Sequence, residues 1–71
     1  MRPSIAPMPI SERIVGVVEE WHARFGFPCQ PEWIGHQVGV DSWTVRLMLY
    51  RLVREGRLAR YGDDVTIGGV L

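Results

Sequence analysis

The stretch from Asp41 to Gly56 constrains this chain more than any other, because it reads as one helix with both ends encoded. Asp41 or Ser42 supplies a short side-chain oxygen that accepts from an otherwise unpaired N–H of the first turn. Gly56 stands where a left-handed residue closes a helix. Between them Val45, Met48, Leu49, Leu52 and Val53 recur at i, i+3, i+4, i+7 and i+8, a single apolar stripe. Ser42, Trp43, Arg46, Tyr50, Arg51 and Arg54 fall on the other side. A helix with an apolar back and an arginine-rich front is suited to a groove of nucleic acid.

The charge distribution agrees with that reading. The chain is formally neutral, which argues against indiscriminate binding of nucleic acid. Residues 1–41 set Arg2, Arg13 and Arg24 against Glu12, Glu19, Glu20, Glu32 and Asp41, for a net charge of −2. Residues 42–61 set Arg46, Arg51, Arg54, Arg57 and Arg60 against Glu55 alone, for a net +4. Asp63 and Asp64 return the remaining −2. All the basic residues are arginine, which suits bidentate contacts to phosphate or guanine and equally suits a GC-rich genome.

At 71 residues the chain is one small domain with a thin core, burying about 60% of its unfolded surface. Its 46% hydrophobic and 23% charged content is globular. The single Cys29 allows no internal disulfide. No apolar run approaches a membrane span and no signal-peptide layout opens the chain, so a cytoplasmic protein is expected.

Residues 1–10 hold Pro3, Pro7 and Pro9 and are expected to be an extended or disordered arm, leaving 11–71 as the domain. A frayed end is the plainer reading of that arm, and a minor-groove contact through Arg2 the sharper one. Helix 1 is predicted from Ser11, as N-cap, to about Phe25, burying Ile14, Val17, Val18, Trp21 and Phe25. Ile10 is placed to staple back onto it. Gly26 ends it, and Phe27-Pro28-Cys29-Gln30 is an extended link with Phe27 tucked under the core. Helix 2 opens on Pro31 at the first helical position, with Glu32 complementing the helix dipole. Ile34 and Val38 face inward, and Gly39 ends the helix. Two short helices joined by a glycine-containing turn, Gly39-Val40-Asp41, make a helix-turn-helix layout. Arg57 to Tyr61 then reads as a strand, Gly62-Asp63-Asp64 as a turn and Val65-Thr66-Ile67 as the return strand.

This order resembles the winged helix-turn-helix superfamily of bacterial and phage regulators, and within it the N-terminal DNA-binding domain of LexA-type repressors. Three segments carry the resemblance. They are Arg24-Phe25-Gly26-Phe27-Pro28-Cys29-Gln30-Pro31-Glu32-Trp33-Ile34-Gly35, the turn Val38-Gly39-Val40-Asp41-Ser42, and the helix exit Leu49-Tyr50-Arg51-Leu52-Val53-Arg54-Glu55-Gly56-Arg57-Leu58. With helix 1 the match spans roughly 11–67, and its motifs belong to the fold more than to one protein. The resemblance implies a mainly helical α+β fold: three helices and a C-terminal two-stranded wing. It also implies a helix 3 (about 42–55) that enters the major groove, as in a small phage, plasmid or mobile-element transcription regulator. Carried over by position, Ser42, Trp43, Thr44, Arg46 and Leu47 read bases, while Tyr50, Arg51, Arg54, Arg57 and Arg60 meet phosphates. Two departures matter. The protease half of the LexA repressors is not in this sequence. The wing tip carries Asp63 and Asp64, which phosphates repel, so a weak wing contact is expected.

Each of these residues has a plainer reading. Arg46 is either a guanine reader or a solvated surface arginine; Arg51 and Arg54 meet phosphate or water, and Arg57 and Arg60 line a solvated strand face. Trp43 can wedge against thymine methyls, anchor a protein partner or fold back onto helix 2 as core. Trp33 is expected to pack between helix 2 and the arm. His22, His36 and Cys29 fit no zinc spacing, His22 and His36 reading as helix-surface residues and Cys29 as small buried packing. No nucleophile elbow or phosphate loop is present. The expectation is a non-enzymatic protein without metal, cofactor or small-molecule ligand, partnered by double-stranded DNA and by a second copy or a larger complex. The alternative is a protein-interaction or assembly module on the same scaffold, favoured by the zero net charge, the acidic wing tip and exposure of Trp33 and Trp43.

Overall fold

The computed structural model describes residues 8–68, so expectations for 1–7 and 69–71 lie outside the described residues. Helix α1 spans Ile10–Phe25, α2 Pro31–Val38 and α3 Ser42–Arg54; strands β1 (Leu58–Tyr61) and β2 (Asp64–Ile67) follow. This is the mainly helical α+β layout of a winged helix: three helices, then an antiparallel hairpin.

Apolar spacing accounts for the packing. Ile14, Val15 and Val18 of α1, Ile34 and Val38 of α2, and Val45, Leu49 and Leu52 of α3 meet in one core, closed by Cys29, Leu58 and Val65. Helix α3 ends as expected. The Gly56 N–H donates to the Val53 carbonyl and the Arg57 N–H to the Leu52 carbonyl, both at 3.0 Å. With Gly56 at φ 79° this is a Schellman close.

Helix α1 ends at Phe25 with Gly26 as its left-handed cap, as expected, but departs from expectation in where it starts and in what its last turn buries. It starts at Ile10 with Pro9 as its cap, and no side chain caps it. Ser11 therefore lies inside the first turn, and Ile10 belongs to the helix rather than to the arm. Proline fixes φ near the value a helix entry needs, here −56°, and so sets the boundary ahead of the serine. At the other end Phe25 is 51% and Phe27 53% exposed. Neither joins the core, because the buried residues of α1 end at Val18 and its last turn runs past the core. The two rings instead gather on Trp21, which lies 4.4 Å from Phe25, 5.6 Å from Phe27 and 4.5 Å from Trp33 between centroids. Trp33 thus packs on α1, and the Trp21 Nε1 is buried without a hydrogen-bond partner.

Strand β1 begins at Leu58, since Arg57 is spent on the helix close. The register pairs Leu58 with Ile67 and Tyr61 with Asp64, so the hairpin loop is Gly62-Asp63 alone. Gly62 has φ 61° and Asp63 does not enter the positive region, the pattern of a turn with glycine at its first central position. Cys29 exchanges backbone bonds with Val65 at 2.7 and 3.0 Å, which ties the link to the outer edge of β2. The helix-turn-helix corner needs Gly35: a Cβ there would stand 2.6 Å from the Val40 carbonyl oxygen and 3.3 Å from Val45 Cγ2.

Candidate nucleic-acid interface

Asp41 sets the start of α3. Its carboxylate accepts the Thr44 N–H at 3.0 Å and the Thr44 hydroxyl at 2.8 Å. These bonds, the backbone one first, hold the Asp41 carboxyl below its usual range. Thr44 is therefore half-buried and committed to the cap, while Ser42 is exposed beside it. With Val45, Leu49 and Leu52 facing the core, the outward line of the helix is Trp43, Leu47, Tyr50 and Arg54, at i, i+4, i+7 and i+11. Trp43 is 69%, Leu47 55% and Tyr50 61% exposed. That removes the reading of Trp43 as core folded back onto α2. The Arg54 guanidinium lies 5.9 Å from the Tyr50 ring centroid.

Two arginines flank this line. Arg46, on the side toward α2, donates from Nη2 to Glu32 Oε2 at 2.8 Å. Arg51, on the opposite side, has its Nε 3.5 Å from Glu55 Oε2. Arg46 is thus solvent-facing but held, and Glu32 does more than complement a helix dipole.

The hairpin arginines separate. Arg57 turns to α1 and makes a two-pronged pair with Glu12, Nη1 to Oε2 at 2.5 Å and Nη2 to Oε1 at 2.8 Å. The pairing keeps the Glu12 carboxyl below the ordinary range and raises Arg57. Arg60 stays on the α3 side and donates from Nε to the Gly62 carbonyl at 2.9 Å. Between α3, the start of α2 and the hairpin lies an open groove of about 240 Å3. Its floor is apolar: Pro31, Leu49, Val53 and Val65. Its rim holds the guanidinium side chains of Arg46, Arg54 and Arg60, the Tyr50 ring and one acid, Asp63.

The expected base readers are therefore not equivalent. Trp43 and Leu47 stand on the outward line and Ser42 beside its start, whereas Arg46 stands at the groove and Thr44 is tied to Asp41. Of the expected phosphate contacts, Tyr50, Arg54 and Arg60 share the groove, Arg51 sits on the far flank and Arg57 is engaged with α1. The Glu32–Arg46 pair went unforeseen in the sequence. Fourteen residues separate the two, and no local spacing rule joins residues on different helices.

Elsewhere the chemistry is sparse. Cys29 is buried, and burial, with the Asp64 charge adding to it, pushes its thiol up to about 11. His22 and His36 are exposed, His22 Nδ1 lying 3.3 Å from the Thr66 hydroxyl. Among the described residues no three His, Cys, Asp or Glu side chains are grouped to hold a metal ion. No helix among them is long and apolar enough to cross a membrane. No protein-family model matches this chain, and no curated protein matches it in sequence.

Proposed function

We propose that this domain binds double-stranded DNA as a cytoplasmic transcription regulator of the winged-helix kind, with α3 in the major groove. One observation carries the reading. The exposed line of α3 runs beside a groove rimmed by Arg46, Arg54 and Arg60, all on one face of the fold. A major groove about 12 Å wide admits such a helix, and its flanking backbone then passes over the groove between helix and hairpin. Trp43 and Leu47 are apolar contacts for thymine methyls, and Arg46 is a donor pair for guanine O6 and N7. Arg54 and Arg60 neutralise phosphate and the Tyr50 hydroxyl donates a hydrogen bond to it, which positions the helix without specifying sequence. Arg57, committed to Glu12, leaves the phosphate set, and Arg51 is peripheral to it. A single module of this size buries roughly 600–1,000 Å2 on DNA, so a second copy or a larger complex supplies the remaining affinity.

The test is fluorescence anisotropy of the domain on labelled random duplexes across a salt series. Binding whose log K falls linearly with log salt is expected, with a slope of about −0.9 per phosphate neutralised. Two phosphates, one each for Arg54 and Arg60, match the groove set. No binding at low salt overturns the reading.

A second reading has its own support. Trp43, Leu47 and Tyr50 form an exposed apolar line, and Arg46 and Arg51 already have carboxylate partners. That composition also suits a protein partner, because aromatic residues and arginine dominate interface hot spots. Salt-insensitive capture of a protein and no duplex binding would favour it.

A further inference from the structure

We propose that Glu32 is a specificity-determining residue for DNA: a positioning residue that acts through Arg46 and penalises contacts with the wrong sequence. The inference rests on the DNA-binding reading above. Arg46 is a long side chain on an exposed flank, and unrestrained it would reach any nearby phosphate. It is not unrestrained. Glu32, in the first turn of α2, holds its Nη2 at 2.8 Å, and the two side chains are 62% and 46% exposed. This pair bridges the two helices of the helix-turn-helix, and Arg46 also lines the α3–hairpin groove. One N–H is used by Glu32, and the remaining donors of the planar fork keep a fixed direction.

Charge adds to the geometry. A carboxylate at this position repels any phosphate that would take Arg46 as a simple cation. It leaves available a contact in which Arg46 keeps Glu32 and offers its free donors to a neutral bidentate acceptor, the edge of guanine. Non-specific binding is almost wholly phosphate contact, whereas specific binding adds base contacts. Glu32 therefore weakens non-specific binding more than specific binding. The same logic fits a protein whose arginine-rich helix sits in a chain of zero net charge.

The experiment compares the wild-type domain with Glu32→Gln, Arg46→Ala and the double variant. Each is measured by anisotropy on a selected duplex and on a scrambled one at fixed salt, with circular dichroism to establish folding. Glu32→Gln keeps the size and an acceptor for Arg46 but removes the charge and loosens the hold. It is expected to raise scrambled-duplex affinity about 3–10-fold with little gain on the selected duplex, lowering discrimination by a similar factor. Arg46→Ala is expected to lower discrimination as well, and Glu32→Gln to change discrimination no further in that background. A purely structural role for Glu32 would weaken both duplexes together and leave their ratio unchanged. If the wild-type domain discriminates and Glu32→Gln preserves the ratio, the role of Glu32 is refuted while DNA binding stands. If the wild-type domain binds no duplex, both fall together.

Discussion

Arg57 and Glu12 join the first turn of α1 to the start of the hairpin, across 45 residues of sequence, by two parallel hydrogen bonds of 2.5 and 2.8 Å. The pair fastens the start of the hairpin to α1. Arg57 is the residue at which the Schellman close of α3 ends, so its backbone position is already set by Leu52. Its side chain then fastens to α1, which leaves Arg60 on the face it shares with α3.

The pair predicts an acid dependence. The Glu12 carboxyl lies below its ordinary value of 4.5 because Arg57 holds its charged form. A carboxyl depressed by folding contributes stability above its unfolded pKa, and that contribution is lost as pH falls through the folded value. Urea midpoints of the wild-type domain are therefore expected to fall from about pH 4.5 downward. Glu12→Gln lowers the midpoint at neutral pH and flattens the acid limb. Parallel curves for the two proteins would mean that Glu12 carries no linkage. Asp41, depressed by its bonds to Thr44, adds to the same limb, so Asp41→Asn should flatten it further.

Gly35→Ala should be strongly disruptive. Its Cβ would meet the Val40 carbonyl oxygen at 2.6 Å, a backbone atom that cannot move without opening the turn between α2 and α3. Overpacking of this kind costs about 1–3 kcal/mol. A domain this short holds only roughly 3–5 kcal/mol in total. Chemical denaturation should register a large loss of stability. Gly16→Ala, with nothing within 4 Å of its Cβ, should be neutral or stabilising in the same assay.

Cys29 should be inert in the folded protein. Its thiol is fully buried, and burial pushes it up to about 11, so at pH 8 almost no thiolate is available to a disulfide reagent. Modification is expected to be slow in buffer and fast in urea. Its rate should then track the opening of the Cys29–Val65 bridge. Rapid modification of the native chain would contradict the burial.

Trp43 offers a direct view of the proposed interface. In a Trp21→Phe, Trp33→Phe background it is the one tryptophan left. It should emit as a solvated indole, accessible to iodide. Addition of a binding duplex should shift the emission and protect it from the quencher. Trp43→Ala should leave thermal stability nearly unchanged, as befits a side chain 69% exposed, yet weaken duplex binding. Unchanged fluorescence at saturating duplex would remove Trp43 from the interface.

Much of the fold was legible in the chain. Helix α3 was set by an aspartate cap, a five-residue apolar stripe and a glycine close, all local features. Pro31 and Gly39 bounded α2 in the same way, and the alternation around Gly62 marked the hairpin. Helix α1 departs from its local signals for one physical reason. Ser11, Phe25 and Phe27 were placed by periodicity and capping preference, which describe an isolated helix. How far the core extends along α1 depends on where α2 crosses it. Pro9, through its restricted φ, outcompeted the serine as the boundary.

The sequence by itself determined the element order, the inward faces and the concentration of arginine from residue 42 to 61. Spacing and backbone preference act over a turn or two, and they are written residue by residue. Only the tertiary structure decided what each arginine does. Arg57 was drawn to Glu12 and Arg46 to Glu32, while Arg54 and Arg60 were left along one groove; Arg51 and Glu55, four residues apart, are the one local pair among them. A side chain's partner depends on which helix lies beside it in space, and the packing of the core alone sets that. The same packing turned a neutral chain into one with an arginine-rimmed groove on one face.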